Sequence, residues 1–456
     1  MDNANDNPKK INITTVIDNS RLGAFQWGIF VLCGLCLIMD GFDTQAIGYV
    51  APALARDWHI TNKDLGPVLS AALVGVLVGS LLCSMLADRI GRRPVLIGAT
   101  LAFSALTFFA AQSTGVHNLI LIRFLGGIGL GAIMPNAMAL CGEYSPAKFR
   151  VPVMMVVSNG FTSGAAIGGF IAAGLIPNYG WRSVFYFGAA IPLVIGILMI
   201  FALPESLQFL ALRGTANAKI GRWLKRIAPD AQVGSDTKYA IPEQRKKGVP
   251  IFHLFLEGRA MGTLLLWVIN FMNLLNLYFL SSWLPKVVSD AGIPDNLAVL
   301  AGTMLQVGGL VGSFVLGWYV HKLGFVPVLT ACFLLGCINI AAIGHPGLGV
   351  GLLFTVIFIA GFCVPGGQAG INALAATYYP TDLRSTGIGS GLGIGRIGAI
   401  VGPLVAGNLL GRHWPTSQLF IAAAIPALIS AIAVFSLRWV IKPSETAVAT
   451  TEVLVH

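Results

Sequence analysis

Apolar runs of about 20 residues, long enough to cross a hydrocarbon core as a helix, recur from one end of this 456-residue chain to the other. Twelve spans are predicted, at 25–50, 65–86, 94–112, 118–141, 151–175, 183–203, 262–284, 297–319, 326–343, 349–375, 387–410 and 418–440. Composition agrees: 55% of residues are hydrophobic, 11% are charged and mean hydropathy is +0.78, whereas soluble domains carry about a quarter charged residues. The chain reads as an all-α membrane protein, with twelve transmembrane helices in two pseudo-symmetric six-helix halves, 25–203 and 261–440. A polar central loop, 204–260, joins them, and tails of 1–24 and 441–456 flank them; the extreme ends are predicted to be disordered.

The formal net charge of +10 would point to nucleic acid in a soluble protein. Here the basic residues fall in alternate loops: Arg89, Arg92 and Arg93; Lys148 and Arg150; the 213–259 segment; Lys322; Arg384; Arg438 and Lys442. The other loops hold Arg56, Lys63, Arg182, Lys286 and Arg412. That asymmetry is the positive-inside signal and puts both termini in the cytoplasm. Membrane lipid is the expected surroundings, a monomer the expected state, and no nucleic-acid partner is expected. All seven cysteines lie in apolar segments, so a disulfide framework is not expected, and Cys33-x-x-Cys36 lacks the βαβ context of a redox motif.

The halves repeat. Asp88-Arg-Ile-Gly91 aligns with His321-Lys-Leu-Gly324, Pro94 with Pro327, and Tyr144-Ser-Pro-Ala-Lys-Phe-Arg150 with Tyr378-Tyr-Pro-Thr-Asp-Leu-Arg384, at offsets of 233 and 234 residues. Parallel repeats with a midplane site between them are a transporter architecture. The same offset carries Asp40 onto Asn273 and Asp43 onto Asn276.

A carboxylate at membrane depth costs roughly 2.5–3.5 kcal/mol on insertion scales and marks function by default. Asp40 and Asp43 sit in the first span, on one helical face, and read as a proton-handling pair. Arg123, at comparable depth in the fourth span, could keep one of them charged until proton or cargo displaces it; a structural ion pair is the alternative. Asn is nearly isosteric with Asp but does not titrate, so Asn273 and Asn276 are expected to offer neutral hydrogen bonds to cargo, or else to bond neighbouring helices. Arg396, near the middle of the eleventh span, calls for an anion. A cargo carboxylate held bidentately is the natural candidate; a pair with Asp40 is the alternative. Phe42, Trp267, Tyr278, Gln306, Gln368 and Asn372 lie at depths suited to an aromatic ring. Gly393-x-Gly395-x-x-Gly398 imitates a dinucleotide fingerprint but follows no strand; its glycines, with Gly127, Gly131, Gly164 and Gly168, suit close helix packing. Asp88, Arg89, Gly91, Arg92 and Arg93 form a charged turn that reads as a gate, with Arg384 a candidate partner of Asp88. No metal spacing or Ser–His–Asp pattern presents itself, so neither an enzyme nor a cofactor is expected; protons are the expected coupling ion.

The repeats, the Asp-Arg-x-Gly-Arg-Arg turn and Pro204-Glu-Ser-Leu-Gln-Phe-Leu210 resemble the major facilitator superfamily over about the whole chain. Within it, Asp40-Gly-Phe-Asp43-Thr-Gln-Ala, Arg123-Phe-Leu-Gly-Gly-Ile-Gly-Leu-Gly-Ala-Ile-Met-Pro-Asn136, Glu143-Tyr-Ser-Pro and Gly395-Arg396-Ile-Gly-Ala resemble the aromatic acid:proton symporter family. The resemblance implies a bacterial inner-membrane importer of hydroxybenzoate-type acids, functional roles for Asp40, Asp43, Arg123, Arg384 and Arg396, and gating by the turn together with Glu143. Ser84, where the turn motif usually opens with Gly, and His321, where its second copy usually has an acid, depart from the pattern; His321 gates or senses pH. Symport of small aromatic carboxylates with protons is therefore expected, by alternating access. A symporter of sugars or other hydroxylated solutes, and a non-transporting receptor for aromatic acids, are the alternatives.

Overall fold

The computed structural model describes residues 10–214, 217–228, 238–240, 251–345, 347–380 and 383–440. Lys442 and the tail 441–456 lie outside them. Among the described residues twelve helices are long and apolar enough to cross a membrane. They are α2 (Ala24–Asp57), α3 (Asn62–Ile90), α4 (Arg92–Ala111), α5 (Val116–Tyr144), α6 (Ala147–Tyr179) and α7 (Arg182–Ala202), then α10 (Ala260–Asp290), α11 (Asp295–Leu323), α12 (Phe325–Ile343), α13 (Val350–Tyr378), α14 (Arg384–Gly411) and α15 (Thr416–Ser436). Most outrun the predicted spans by one or two turns, because hydropathy ends where polar residues begin and the hydrogen-bonded helix does not.

Two segments outside the predicted spans hold regular structure. The tail before the first span includes a strand, β1 (Lys10–Asn12), and a helix, α1 (Ile13–Asp18). The Asn12 side chain caps α1 by accepting from the N–H groups of Thr14 and Thr15. The segment read as loop contains α8 (Leu207–Arg213), α9 (Asn217–Ile227) and β2 (Lys238–Ala240), which pairs in parallel with β1. Ser206 caps α8 and Gly214, in the left-handed region, ends it. In α9, Ile220, Leu224 and Ile227 are buried while Lys219, Arg222, Lys225 and Arg226 are exposed, and Trp223 stacks on Phe25 with ring centroids 5.2 Å apart. A short, charge-rich helix carries too few apolar residues to register as a span, and strands pairing across more than 200 residues leave no local pattern.

The helices group into two compact units: described residues of Met1–Ala46, Ala71–Ile171 and Asn178–Lys247 in the first, of Ile47–Ser70, Ala172–Pro177 and Gly248–His456 in the second. The end of α2 and the start of α3 thus belong with the second unit. There Arg56 forks onto Asp295, which also accepts from Ser289 Oγ at 2.8 Å, and Ser70 Oγ donates to the Ile400 carbonyl at 3.2 Å.

Within each unit, glycines set the helix spacing, and they do so at repeat-related positions. A Cβ on Gly75 or Gly127 would lie 2.1 Å from the carbonyl oxygen of Phe124 or Ala72, locking α3 to α5. At Gly308 and Gly361, the same positions one repeat later, a Cβ would lie 2.1 and 2.0 Å from those of Phe358 and Leu305, locking α11 to α13. A Cβ on Gly164 would lie 1.8 Å from the Ile38 carbonyl oxygen and one on Gly398 2.3 Å from that of Phe271, repeating the match for α6 on α2 and α14 on α10. Gly91 and Gly324, with φ of +106° and +84°, make the same turn twice, in a conformation that L side chains rarely adopt.

Because the obstructing atoms are backbone, a new side chain there cannot be relieved by rotation. Gly127→Leu and Gly361→Leu are expected to lower the thermal unfolding midpoint in detergent, at an overpacking cost of about 1–3 kcal/mol or more. Gly98→Leu, at a position facing open space, should leave the midpoint unchanged.

Candidate functional site

In the first unit the motif Asp40-Gly-Phe-Asp43 divides its labour between packing and charge. Gly41 lets α6 approach: a Cβ there would lie 1.8 Å from the Phe161 carbonyl oxygen. Phe42, expected near cargo, packs its ring against Gly168 and Gly188 and lies 5.6 Å from the Phe187 ring. Asp43 is 1% exposed and Arg123, from α5, 4% exposed. Arg123 Nη1 donates to Asp43 Oδ2 at 2.6 Å and Nη2 to the Asp43 carbonyl at 3.2 Å. Thr107 Oγ1, from α4, donates to Oδ1 at 3.1 Å. The carboxylate is therefore held on both oxygens, while Arg123 Nε is buried without a partner among the described residues. Asp40, also buried, accepts from Thr44 Oγ1 at 3.4 Å.

The second unit has the same backbone and different chemistry. Asn276 occupies the repeat position of Asp43, but Ile357 and Ile340, both fully buried, occupy those of Arg123 and Thr107. This explains why both polar atoms of Asn276 are buried without a partner among the described residues. Asn273 Nδ2 instead joins a cluster of amides, donating to Gln368 Oε1 at 2.8 Å and to the Val364 carbonyl at 3.2 Å. Gln368 Nε2 donates to Asn270 Oδ1 at 3.1 Å and to Asn372 Oδ1 at 3.2 Å. Gln306 Nε2 donates to Ser281 Oγ at 3.0 Å. Arg396 is half-buried on α14, flanked by Gly395 and Gly398, whose missing side chains let α14 lie on α10. Packing thus accounts for two glycines of the apparent fingerprint.

At the turn after α3, Arg92 pairs with Glu143, and Ser206 Oγ donates to the other Glu143 oxygen at 2.5 Å. Glu205 Oε1 accepts from the backbone N–H groups of Arg92 and Arg93 at 3.0 and 3.1 Å, an anion at the N-terminus of α4. Arg93 donates to the Ile200 carbonyl, and Arg213 to that of Arg89. Asp88 is exposed, as is Arg384 in the second unit.

The structure brings Asp43 to Arg123, Arg92 to Glu143, and Asn273 to Gln368 and Asn372. Sequence reasoning missed Thr107, Asn270 and the pair Glu205–Ser206. Thr107 is a lone polar residue in an apolar helix, Asn270 lies one turn before Asn273, and Glu205–Ser206 stood within a stretch noted only for its resemblance.

The sequence model of the Major Facilitator Superfamily matches residues 33–336 and 266–454. The chain is 39% identical to the 4-hydroxybenzoate transporter PcaK of Pseudomonas putida over 93% of this chain and 95% of that protein. It is 38% identical to the gallate transporter of Pseudomonas putida, over 93% and 95%. A crystal structure of a bacterial homologue of the human lysosomal transporter Spinster superposes with a TM-score of 0.74 at 15% identity, covering 93% of this chain and all of that one.

Removing one partner of a buried ion pair leaves the other charge uncompensated. Arg123→Met is expected to destabilise the protein by about 3–5 kcal/mol, read as a lowered unfolding midpoint in detergent. Adding Asp43→Leu should recover much of the loss; additive losses would mean the two residues are not coupled.

Proposed function

This chain belongs to the Major Facilitator Superfamily, and we propose that it imports small aromatic carboxylates of the hydroxybenzoate type together with protons, by alternating access, across a bacterial inner membrane. It is a multi-pass membrane protein, and twelve apolar helices are described. The basic residues in alternate loops support cytoplasmic termini, and we take it to act as a monomer within the lipid. Relatives named for 4-hydroxybenzoate and gallate transport align over nearly their whole length, which favours aromatic acids over sugars.

The observation that carries proton coupling is the buried Asp43–Arg123–Thr107 cluster. Proton and guanidinium compete for the same carboxylate. A proton on Asp43 leaves Arg123 with the Asp43 carbonyl and the Phe185 ring, 5.9 Å away. An uncompensated guanidinium at that depth costs several kcal/mol, so protonation drives either a shift of α5 against α2 or the arrival of another anion. Asp40, one turn away, serves as the second station. In the other unit Arg396 holds the cargo carboxylate, and Asn273, Asn276, Gln306, Gln368 and Asn372 supply neutral contacts. Arg92 and Glu143, with Asp88, Arg89, Gly91, Arg93 and Arg384, gate the cytoplasmic side. One proton per monoanion is electroneutral and draws about 1.4 kcal/mol per pH unit; a second would add about 2.3 kcal/mol per 100 mV.

The test is uptake of labelled 4-hydroxybenzoate into proteoliposomes under an imposed pH gradient, with unlabelled aromatic acids and sugars as competitors. Flux that follows the gradient and yields to aromatic acids supports the reading. Competition by sugars, or binding without flux, refutes it. Asp43→Asn is expected to abolish accumulation while cargo binding survives; full uphill transport by that variant would remove Asp43 from the coupling step.

A further inference from the structure

The amide cluster of the second unit has a polarity of its own. The Leu266 carbonyl can only accept, so Asn270 turns its NH2 toward it, at 3.0 Å, and presents Oδ1 to Gln368. The Val364 carbonyl likewise can only accept, so Asn273 turns its NH2 toward it and toward Gln368 Oε1. These two main-chain anchors, one on α10 and one on α13, independently require the same orientation of Gln368. Both Nε2 protons of Gln368 then go to Asn270 and Asn372, and both Nδ2 protons of Asn273 are in use. Among the described residues, what remains at Gln368 and Asn372 is one lone pair on each amide oxygen, since such an oxygen accepts two hydrogen bonds, together with the two N–H donors of Asn372. Asn270 and Asn273 are buried, while Gln368 and Asn372 are half-buried, so the open end of the cluster is the Gln368–Asn372 end.

Helix packing does not require these amides. In the first unit, on the same backbone, Leu37, Met134 and Met138 stand at the repeat positions of Asn270, Gln368 and Asn372. Interhelical hydrogen bonds in membranes contribute little to stability, so helix glue is a weak reason to keep four amides together.

We propose that Gln368 and Asn372 read a ring hydroxyl of the cargo, with Asn270 and Asn273 locking Gln368 in its accepting orientation. The proposal rests on the aromatic-acid reading and deepens it. A carboxylate offers only acceptors and would meet the Gln368 and Asn372 lone pairs as well as the Asn372 N–H groups; a phenolic hydroxyl both donates and accepts, and so matches a surface that carries both. The carboxylate end therefore belongs with a cation. Gly391 brings α14 against this cluster, where a Cβ would lie 3.2 Å from Asn270 Nδ2. Arg396 follows five residues later on that helix, about 7.5 Å along its axis and about 140° around it, so its long side chain has to reach back toward this face to take the far end of one aromatic ring.

The experiment measures inhibition constants of benzoate, 3-hydroxybenzoate and 4-hydroxybenzoate against labelled benzoate uptake in proteoliposomes. It compares the wild type with variants that install the other half's residues: Asn270→Leu, Gln368→Met and Asn372→Met. The wild type is expected to prefer a hydroxylated acid over benzoate roughly tenfold, the size of one net hydrogen bond, and each variant to bring that ratio close to one. A merely structural role would weaken all three acids equally and leave the ratio unchanged; that outcome, or a wild type indifferent to the hydroxyl, overturns the proposal. Asn372→Met, at the half-buried end, supplies the ratio if the more buried substitutions do not fold. Absence of any aromatic-acid uptake by the wild type would instead refute the transport reading itself, and this proposal with it.

Discussion

Two leucine-faced helices in lipid gain nothing by meeting, because hydrocarbon surrounds them either way. Association must come from close van der Waals contact and from polar groups with nowhere else to bond. The glycines of this chain supply the first. Where Gly75, Gly127, Gly308 and Gly361 sit, one helix's Cα lies against another's carbonyl oxygen, closer than any side chain would permit. That spacing brings the polar groups of neighbouring helices within hydrogen-bond reach of one another.

On this repeated backbone the two units carry opposite kinds of polar chemistry. The first buries a charge and its counter-charge, with Thr107 completing the carboxylate's bonds. The second places isoleucines where those partners would be and leaves Asn276 without one among the described residues. It then builds a neutral amide cluster at four positions, three of which the first unit fills with leucine and methionine and the fourth with Asp40. A buried ion pair in one unit and a neutral, directional cluster in the other is the arrangement expected if coupling ion and cargo are handled separately. An orphaned buried amide is expensive, at roughly 1–3 kcal/mol, and its cause here is traceable to two substitutions in neighbouring helices.

The charged turn after α3 shows how far a motif can be read and where reading stops. Gly91 and the arginines were visible as a charged tight turn. The carboxylates that organise it, Glu143 and Glu205, come from α5 and from the segment after α7, more than 50 residues away. Likewise Phe42 was expected near cargo beside the two acids. In the folded chain Gly41 and Phe42 pack against neighbouring helices, and Asp43 holds the ion pair.

Twelve spans, two repeats, the buried acids and Arg123 were all legible in the sequence, because hydropathy, periodicity and the expense of charge in lipid act on a single segment at a time. Three things were decided only by tertiary structure: the β1–β2 pairing, the capture of Asp43 by Thr107 as well as Arg123, and the orientation of the Gln368 amide. Each depends on which atoms of distant helices fall within about 3 Å, the reach of a hydrogen bond, and no local pattern of residues encodes a distance of that kind.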